Sequence, residues 1–397
     1  MKYDFDKVQM TMFAVLLAFL MSGVGAASGK ESKAPERSAA FAENQFFVLD
    51  FERTSLSLAD VKERFFTTFP HDEPTGGNVI YDRVQWVNDN MIRLQPGEGL
   101  YLYLKSRGRG ENFDSFRLTS KPFYNLTDST SRILFVFKGQ LPSGKGIWPA
   151  WWLNGSHEEL WTYSGLDTFP VDRDLDRYSG IGHFYDTSSP VNGTDWPSAG
   201  ELDIIETING DNIFHNTIHT CPQMCDAIWN ANGVLVNCAN ANQRDPNAGC
   251  SGEPYRLAEP GGTFACIWEK QRIRFYYWSP QEDVRGAGGP LSYDPHPEEW
   301  GEKFLKNEVI LLNANTPCES QTHQEWQCKN CAESTTCSFV NMKMIFNTTL
   351  CGKWAGSQFD DSEHPTENCS AYVQGEGRPL IHDQFMKLEY VSVRGLK

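Results

Sequence analysis

The chain has 397 residues and a formal net charge of −16, with no basic tract. This length is ample for a full hydrophobic core, and the acidic balance argues against nucleic acid or an anionic membrane surface as the main partner. Aromatic residues make up 13% of the chain, including 12 tryptophans. Such an enrichment is compatible with a large core and also with a cleft whose flat apolar faces bind sugars.

The N-terminus carries the apolar run MTMFAVLLAFLMSGVGAA, residues 10–27. Its short apolar core, followed by small residues at 24–26, predicts a signal peptide over residues 1–26. An uncleaved signal anchor stays open as the alternative, because the run approaches spanning length only when Ser22 and the glycines are counted. Both interpretations put the remaining chain outside the cytosol, so we expect a secreted or cell-surface protein.

Residues 27–45 are polar and predict a disordered lead-in. Residues 46–397 contain no long linker and no internal repeat, which predicts one domain. SLADVKERF (residues 57–65) is the best helix candidate. Short runs rich in β-branched and aromatic residues predict strands at 99–106, 132–140, 200–207, 216–220, 272–279, 308–314, 340–350 and 385–393. Many short strands separated by turn residues predict an all-β sandwich or barrel. Residues 156–194 and 318–337 are expected to form long loops.

The cysteines all lie between Cys221 and Cys369 and number 11. In a secretory chain they predict disulfides, with one cysteine left free or bonded to another molecule. The cluster CKNCAESTTC (Cys328, Cys331, Cys337) leaves a zinc site open, although no histidine stands at ligand spacing. Sequons for N-glycosylation agree with export; they begin at Asn125, Asn154, Asn192, Asn347 and Asn368.

Three carboxylates stand within six residues of otherwise apolar chain, in GELDIIE (residues 200–206): Glu201, Asp203 and Glu206. On a helix they would diverge, and on a regular strand Glu206 would point away from the other two. A β-bulge between Asp203 and Glu206 would return Glu206 to their face. The spacing therefore predicts a bulged strand with one acidic face on a cleft, while Leu202, Ile204 and Ile205 pack in the core.

Two carboxylates across a cleft are the catalytic groups of a glycosidase, and a retaining enzyme needs them about 5–5.5 Å apart. Crowded carboxylates cannot all ionise freely, so at least one pKa must rise, which suits an acid catalyst. The middle carboxylate can hold a shared proton. A solvated strand face or a calcium site remains the alternative, because three carboxylates also suit a hard cation.

The surrounding motifs resemble glycoside hydrolase family 16, in its laminarinase-like, fungal-type endo-β-1,3(4)-glucanase branch. GELDIIE resembles the bulged catalytic strand of that family. The resemblance extends in order over about residues 46–394 through DSFRLTSKPFY (114–124), GKGIWPAWW (144–152), TIHT (217–220), FNTTLCGKWAG (346–356) and FMKLEYVSV (385–393). It implies a two-sheet antiparallel β-sandwich, a concanavalin A-like jelly roll with long loops and a concave sheet that holds an extended cleft.

By this resemblance Glu201 is the nucleophile, Asp203 the assisting residue and Glu206 the acid/base. The family presents aromatic rings or polar groups to sugars at five further positions, which are Trp148, Trp196, Trp354, His219 and Arg117. A pyranose ring offers an apolar face that packs on indole, although each tryptophan could equally be a core residue, and His219 could be a structural histidine. No cofactor is predicted.

The resemblance implies a secreted retaining endo-β-glucanase, acting as a monomer on β-1,3-linked or mixed β-1,3/1,4-linked glucan. Two alternatives remain open. The same residues could transfer glycans to an acceptor sugar instead of water, or the chain could be a β-glucan-binding lectin without catalysis. The segment 156–194 and the cluster CKNCAESTTC depart from the branch and could reshape the cleft, so linkage preference and endo or exo action stay open.

Overall fold

The computed structural model describes residues 45–67, 75–81, 91–127, 129–155, 200–219, 227–231, 234–237, 249–311, 339, 341–359 and 368–396. Contacts divide the chain into two units, Met1–Ala42 and Glu43–Lys397, and every described residue belongs to the second. The predicted signal peptide lies outside the described residues. Gln45, the last residue of the predicted lead-in, begins the first strand.

The described residues form 21 strands: β1 (Gln45–Asp50), β2 (Phe65–Thr67), β3 (Val79–Tyr81), β4 (Ile92–Gln95), β5 (Gly99–Tyr103), β6 (Lys105–Ser106), β7 (Phe113–Ser115), β8 (Arg117–Ser120), β9 (Arg132–Gln140), β10 (Ile147–Asn154), β11 (Glu201–Glu206), β12 (Ile213–His219), β13 (Ala227–Ala231), β14 (Val234–Asn237), β15 (Cys250–Ser251), β16 (Tyr255–Arg256), β17 (Gly261–Glu269), β18 (Arg272–Trp278), β19 (Leu305–Leu311), β20 (Lys343–Leu350) and β21 (Phe385–Leu396). All eight predicted runs coincide with described strands, at least in part.

Two large antiparallel sheets make up the fold. One has the strand order β14-β13-β19-β18-β17-β9-β21-β5-β4, with β1 also paired to β21. The other, which we call the cleft sheet, has the order β15-β12-β11-β10-β20-β8-β2, with β16 paired to β12. A small third sheet, β3-β7-β6, contains a parallel pair between β3 and β7. This arrangement confirms the predicted two-sheet antiparallel sandwich.

Large side chains from both sheets fill the space between them. Trp151 of β10 is fully buried and stacks on Phe346 of β20, with ring centroids 5.8 Å apart. Phe137 of β9, in the opposite sheet, meets both rings edge-on at 5.5 and 5.3 Å. Alternating strands with one apolar face produce such a core, because successive side chains point to opposite faces of a sheet.

Helices within the described part of the chain are few and short. The predicted helix is confirmed as α1 (Leu58–Arg64), where the Ser57 side chain accepts from the Asp60 backbone N–H and the Asp60 side chain accepts from the Ser57 N–H. This reciprocal capping satisfies two backbone donors at the start of the helix. Shorter helical segments lie at Pro297–Glu299, Glu302–Phe304, Gly352–Ala355, Cys369–Gln374 and Arg378–Ile381. No helix among the described residues is both long and apolar enough to cross a membrane.

Candidate active site

The strand β11 carries the predicted bulge. Asp203 pairs with Thr217 of β12 and Glu206 pairs with His215, so three positions along β11 match two along β12. The pairing of β11 with β10 skips Ile204, which is therefore the extra residue. Because a bulge absorbs one residue, Glu206 returns to the face that carries Asp203. The predicted bulged strand is confirmed.

The two faces of β11 differ in polarity as the sequence predicts. Its apolar residues are at most 2% exposed and belong to the central core cluster: Leu202, Ile204 and Ile205. On the opposite face Glu201 is 8% exposed and Asp203 is 3% exposed, whereas Glu206 keeps more contact with solvent. The strand thus presents a row of carboxylates whose far end, at Glu206, is the most open.

His219 of β12 lies beside two of these carboxylates. It pairs with Glu201 across the strands, and its Nε2 atom lies 3.7 Å from Glu201 Oε1 and 3.2 Å from Asp203 Oδ2. The ring is only 7% exposed. The structure therefore brings His219 into direct contact with the acidic row, where it can help to orient Asp203 and Glu201.

The same three side chains are the group in the described residues that could hold a metal ion, because their ligand atoms all lie within 4.8 Å of one another. Calcium prefers six to eight oxygen ligands. An imidazole nitrogen with two carboxylates is a poor match to that preference, so the donor set does not fit the calcium alternative. Glu206 is not a member of this group.

Burial changes the acidity of the row. The pKa of Asp203 is raised well above its ordinary value because the protein desolvates its carboxyl group. The pKa of Glu206 is raised to about 8, first by desolvation and then by repulsion from Asp203, while the hydrogen bond from Trp148 lowers it. Part of Glu206 is open to the cleft, yet the protein around its carboxyl group still disfavours the charge. The prediction that at least one pKa must rise is confirmed, and with a pKa of about 8 the Glu206 carboxyl group holds its proton at neutral pH.

Aromatic side chains surround Glu206. Trp148 donates from Nε1 to Glu206 Oε1 at 3.0 Å. Trp354 meets the Trp148 ring edge-on at 5.4 Å and the His215 ring at 5.0 Å. All three rings are partly exposed. Two of the predicted sugar-binding tryptophans thus come together at the Glu206 end of the row, and His215, which the sequence did not single out, completes the group.

A polar cluster lies on the strands of the cleft sheet that are on the opposite side of β11 from β12. Arg117 of β8 lies over the Trp152 ring with its Cζ atom 5.0 Å from the centroid. Trp152 donates from Nε1 to Asn347 Oδ1 at 2.7 Å, and Asn347 donates to the Tyr81 hydroxyl at 2.9 Å. Trp152 pairs with Asp203 across the strands. Arg117 therefore contacts the site through Trp152. The sequence did not single out Trp152, Asn347 or Tyr81 as site residues. Trp152 could have been found, because it stands four residues after Trp148 and so lies on the same face of the strand.

Several predictions fall on residues that the structure does not describe. These are Trp196, the whole of the segment 156–194, and the cluster Cys328, Cys331 and Cys337. Among the described cysteines, Cys351 and Cys369 form a disulfide and Cys266 is a buried free thiol. The free thiol agrees with the odd cysteine count.

Two of the predicted glycosylation sequons lie inside the domain. Asn154 is 2% exposed and Asn347 is 9% exposed, with both ends of its amide hydrogen-bonded. A glycan cannot fit at either position in this fold. Asn368 is exposed and caps a helix through its side chain, so it keeps the predicted accessibility.

Comparison with known proteins agrees with this geometry. The fungal endo-1,3(4)-beta-glucanase of Arthroderma benhamiae is 24% identical over 352 residues, covering 83% of this chain and 61% of that protein. The chain spans about half of the length of the curated relatives that it matches, with 44% and 45% of the next two.

Solved structures share the fold. Laminarinase 16A, in a mutant described as cyclizing laminariheptaose, superimposes with a TM-score of 0.57 at 19% identity, covering 88% of this chain and 99% of that one. An elongating family 16 β-1,3-glucosyltransferase gives a TM-score of 0.56 at 17% identity with the same coverage. The model for the XgeA-like, catalytic GH16 domain matches residues 190–393, about half of the chain, a span that includes the bulged strand, the neighbouring histidine and Trp354. The chain therefore belongs to glycoside hydrolase family 16, in the XgeA-like group of catalytic domains.

Proposed function

We propose that this protein is a secreted, retaining endo-β-glucanase that hydrolyses β-1,3-linked or mixed β-1,3/1,4-linked glucan. The observation that carries the proposal is the bulge at Ile204, which turns Glu206 to the face of Asp203 while its pKa is held at about 8. A carboxylic acid that keeps its proton at neutral pH is what protonation of a glycosidic oxygen requires. The fungal relatives named endo-1,3(4)-beta-glucanase support the substrate class.

In the proposed mechanism the Glu201 carboxylate attacks the anomeric carbon. The bond from that carbon to the glycosidic oxygen breaks, and the oxygen takes the proton of Glu206. A water molecule then attacks the glycosyl-enzyme, gives its proton to Glu206 and releases Glu201. Asp203, whose pKa is raised by burial and which lies in contact with His219, can hold a shared proton and so limit the negative charge beside Glu201.

The aromatic group at Glu206 gives a place for the leaving sugar. The glycosidic oxygen must lie at Glu206 when it is protonated, so the ring of the departing sugar lies just beyond, against Trp148 and Trp354. The apolar faces of a pyranose pack on indole rings. The proposed partner is thus a β-glucan chain bound along the cleft of a monomer.

An activity assay tests the proposal directly. Reducing-sugar release should be measured side by side on laminarin, lichenan, agar and xyloglucan. We expect release from laminarin, with or without lichenan, and product of retained β-configuration when the first turnover is followed by NMR. Release from agar or xyloglucan alone would contradict the substrate class, and α-configured first product would contradict the retaining mechanism.

Transfer to an acceptor sugar is the second candidate, because one structural neighbour is described as an elongating β-1,3-glucosyltransferase. In this case a sugar hydroxyl replaces water in the second step. Incubation with laminari-oligosaccharides distinguishes the two activities, since products longer than the substrate indicate transfer and exclusively shorter products indicate hydrolysis.

The pH profile follows from Glu206. As its raised pKa lies at about 8, the acid is protonated below that pH and loses its proton above it. We expect kcat/KM on laminarin to fall as the pH rises through about 8. Removal of the hydrogen bond that stabilises the carboxylate, in Trp148→Phe, should raise the Glu206 pKa and move this limb to higher pH.

Trp354→Phe is the matched control, because it alters the same aromatic group but leaves the Trp148 hydrogen bond in place. Its basic limb should coincide with that of the wild type even if KM rises. A limb that stays unchanged in Trp148→Phe, or moves to lower pH, would remove Glu206 as the group that controls it.

A further inference from the structure

Two asparagines lie buried behind the catalytic strand. Asn216 stands on the core face of β12 between Phe214 and Ile218, and all three are 0% exposed. Asn307 stands on β19, in the opposite sheet, two residues before the core residue Val309, and is also 0% exposed. An amide at a core position of an apolar strand is unusual and needs hydrogen-bond partners.

The partners connect the two sheets through the bulge. Asn216 donates from Nδ2 to the carbonyl oxygen of Ile204 at 2.5 Å. Asn307 donates from Nδ2 to Asn216 Oδ1 at 2.7 Å and to the Glu253 carbonyl oxygen at 3.1 Å. Because the Ile204 and Glu253 carbonyl oxygens only accept, the orientation of both amides is determined by the bonds themselves.

Ile204 is the residue that the bulge inserts between the two acids of the site. It has no register partner on β10 or β12, so its peptide group lies where the regular ladder is interrupted. A buried carbonyl without a partner is costly, and rotation of this peptide would re-aim the residues on either side. Asp203 directly precedes Ile204, and Glu206 follows it by two residues.

We propose that Asn216 and Asn307 are positioning residues for glycosidic bond cleavage, which hold the Ile204 peptide so that Glu206 faces the same cleft as Glu201. Asn216 bonds the bulge directly, and Asn307 fixes Asn216 from the second sheet. The catalytic strand is thereby tied to the opposite layer of the sandwich by a chain of two amides. The effect on cleavage rests on the proposed function, whereas the effect on the orientation of Glu206 does not.

Asn216→Leu removes the bond to Ile204 with a side chain of similar size. We expect kcat on laminarin to fall by roughly 10- to 100-fold with little change in KM, because a displacement of about 1 Å at a reacting group costs this much in rate while the sugar contacts remain. Asn307→Leu leaves Asn216 bonded to Ile204 and should cause a smaller fall in kcat. If Asn216→Leu does not fold, Asn307→Leu decides the question.

Val309→Ala is the matched control, because Val309 lies on β19 in the same core and takes part in none of these hydrogen bonds. It should lower the unfolding midpoint by an amount comparable to the asparagine variants and leave kcat unchanged. An equal fall of kcat in Val309→Ala would show that lost stability alone explains the result. Wild-type kcat in a folded Asn307→Leu and a folded Asn216→Leu would likewise overturn the proposal.

A titration of Glu206 by carbon NMR supplies a readout that needs no substrate. In Asn216→Leu the pKa of Glu206 should move from about 8 towards the ordinary value of a glutamate, since a carboxyl released from its position gains solvent. Val309→Ala should leave it unchanged. If the wild type hydrolyses no glucan but this shift is seen, the positioning role stands and the proposed function fails; an unshifted pKa in both asparagine variants contradicts the positioning role itself.

Discussion

Replacement of Glu201 by glutamine is expected to lower kcat on laminarin by at least about 10⁴-fold, because loss of a nucleophile that acts within a catalytic group removes nearly all of its rate enhancement. An amide of the same shape cannot form the glycosyl-enzyme. Steady-state release of reducing sugar measures the effect, and the unfolding midpoint shows whether the variant is folded.

Glu302→Gln is the corresponding control, because it makes the same chemical change at an exposed carboxylate of a short helical turn. We expect it to retain wild-type kcat. Undiminished sugar release by Glu201→Gln would show that Glu201 is not the nucleophile.

A small anion offers a further check on the same residue. Glu201→Ala leaves a space in which azide can attack an activated aryl β-glucoside, and the expected product is the glycosyl azide of inverted, α-configuration. The β-azide would mean that another group on the enzyme had formed the covalent intermediate.

Replacement of Glu206 by glutamine is expected to slow cleavage most for substrates whose leaving group must be protonated. On laminarin, whose leaving group is a sugar hydroxyl, kcat/KM should fall by roughly 10²- to 10⁴-fold, the usual contribution of general acid–base catalysis. The dinitrophenolate of a dinitrophenyl β-glucoside leaves without protonation, so formation of the glycosyl-enzyme from this substrate should be nearly unaffected. A burst of dinitrophenol followed by slow turnover measures both steps together.

Glu201→Gln provides the contrast within the same assay, because it should abolish the burst with either leaving group. An equal loss on laminarin and on the dinitrophenyl glucoside in Glu206→Gln would assign Glu206 a structural role. The raised pKa of Glu206 would then have no part in catalysis.

The local pattern of the chain was enough to predict most of the strands around the site. In β9 and β21 the runs RILFVFKGQ and FMKLEYVSV are apolar, branched and aromatic, and the structure has strands at Arg132–Gln140 and Phe385–Leu396. The bulge in β11 could also be predicted, because a period of two and a three-residue gap between acids are incompatible without an extra residue. These features depend on neighbours within a few positions of the chain.

Other parts of the site depend on residues that only the fold brings together. His215 meets Trp354, and Asn347 joins Trp152 to Tyr81, across separations of more than a hundred residues. No periodicity connects such positions. The same is true of the buried sequon at Asn347, whose three-residue motif carries no information about burial.

The sequence by itself determined the all-β class, the acidic row of Glu201, Asp203 and Glu206, and the family resemblance that the family model later supported, because strand period, side-chain chemistry and motif order are local properties. Only the tertiary structure decided how acidic that row is and what holds it in place. The pKa of Glu206 depends on the protein that excludes water around it. The Ile204 carbonyl oxygen accepts a hydrogen bond from Asn216, and Asn216 accepts one from Asn307 on a strand of the opposite sheet. Burial and long-range hydrogen bonds arise only when the two sheets pack, and the chemistry of the site depends on both.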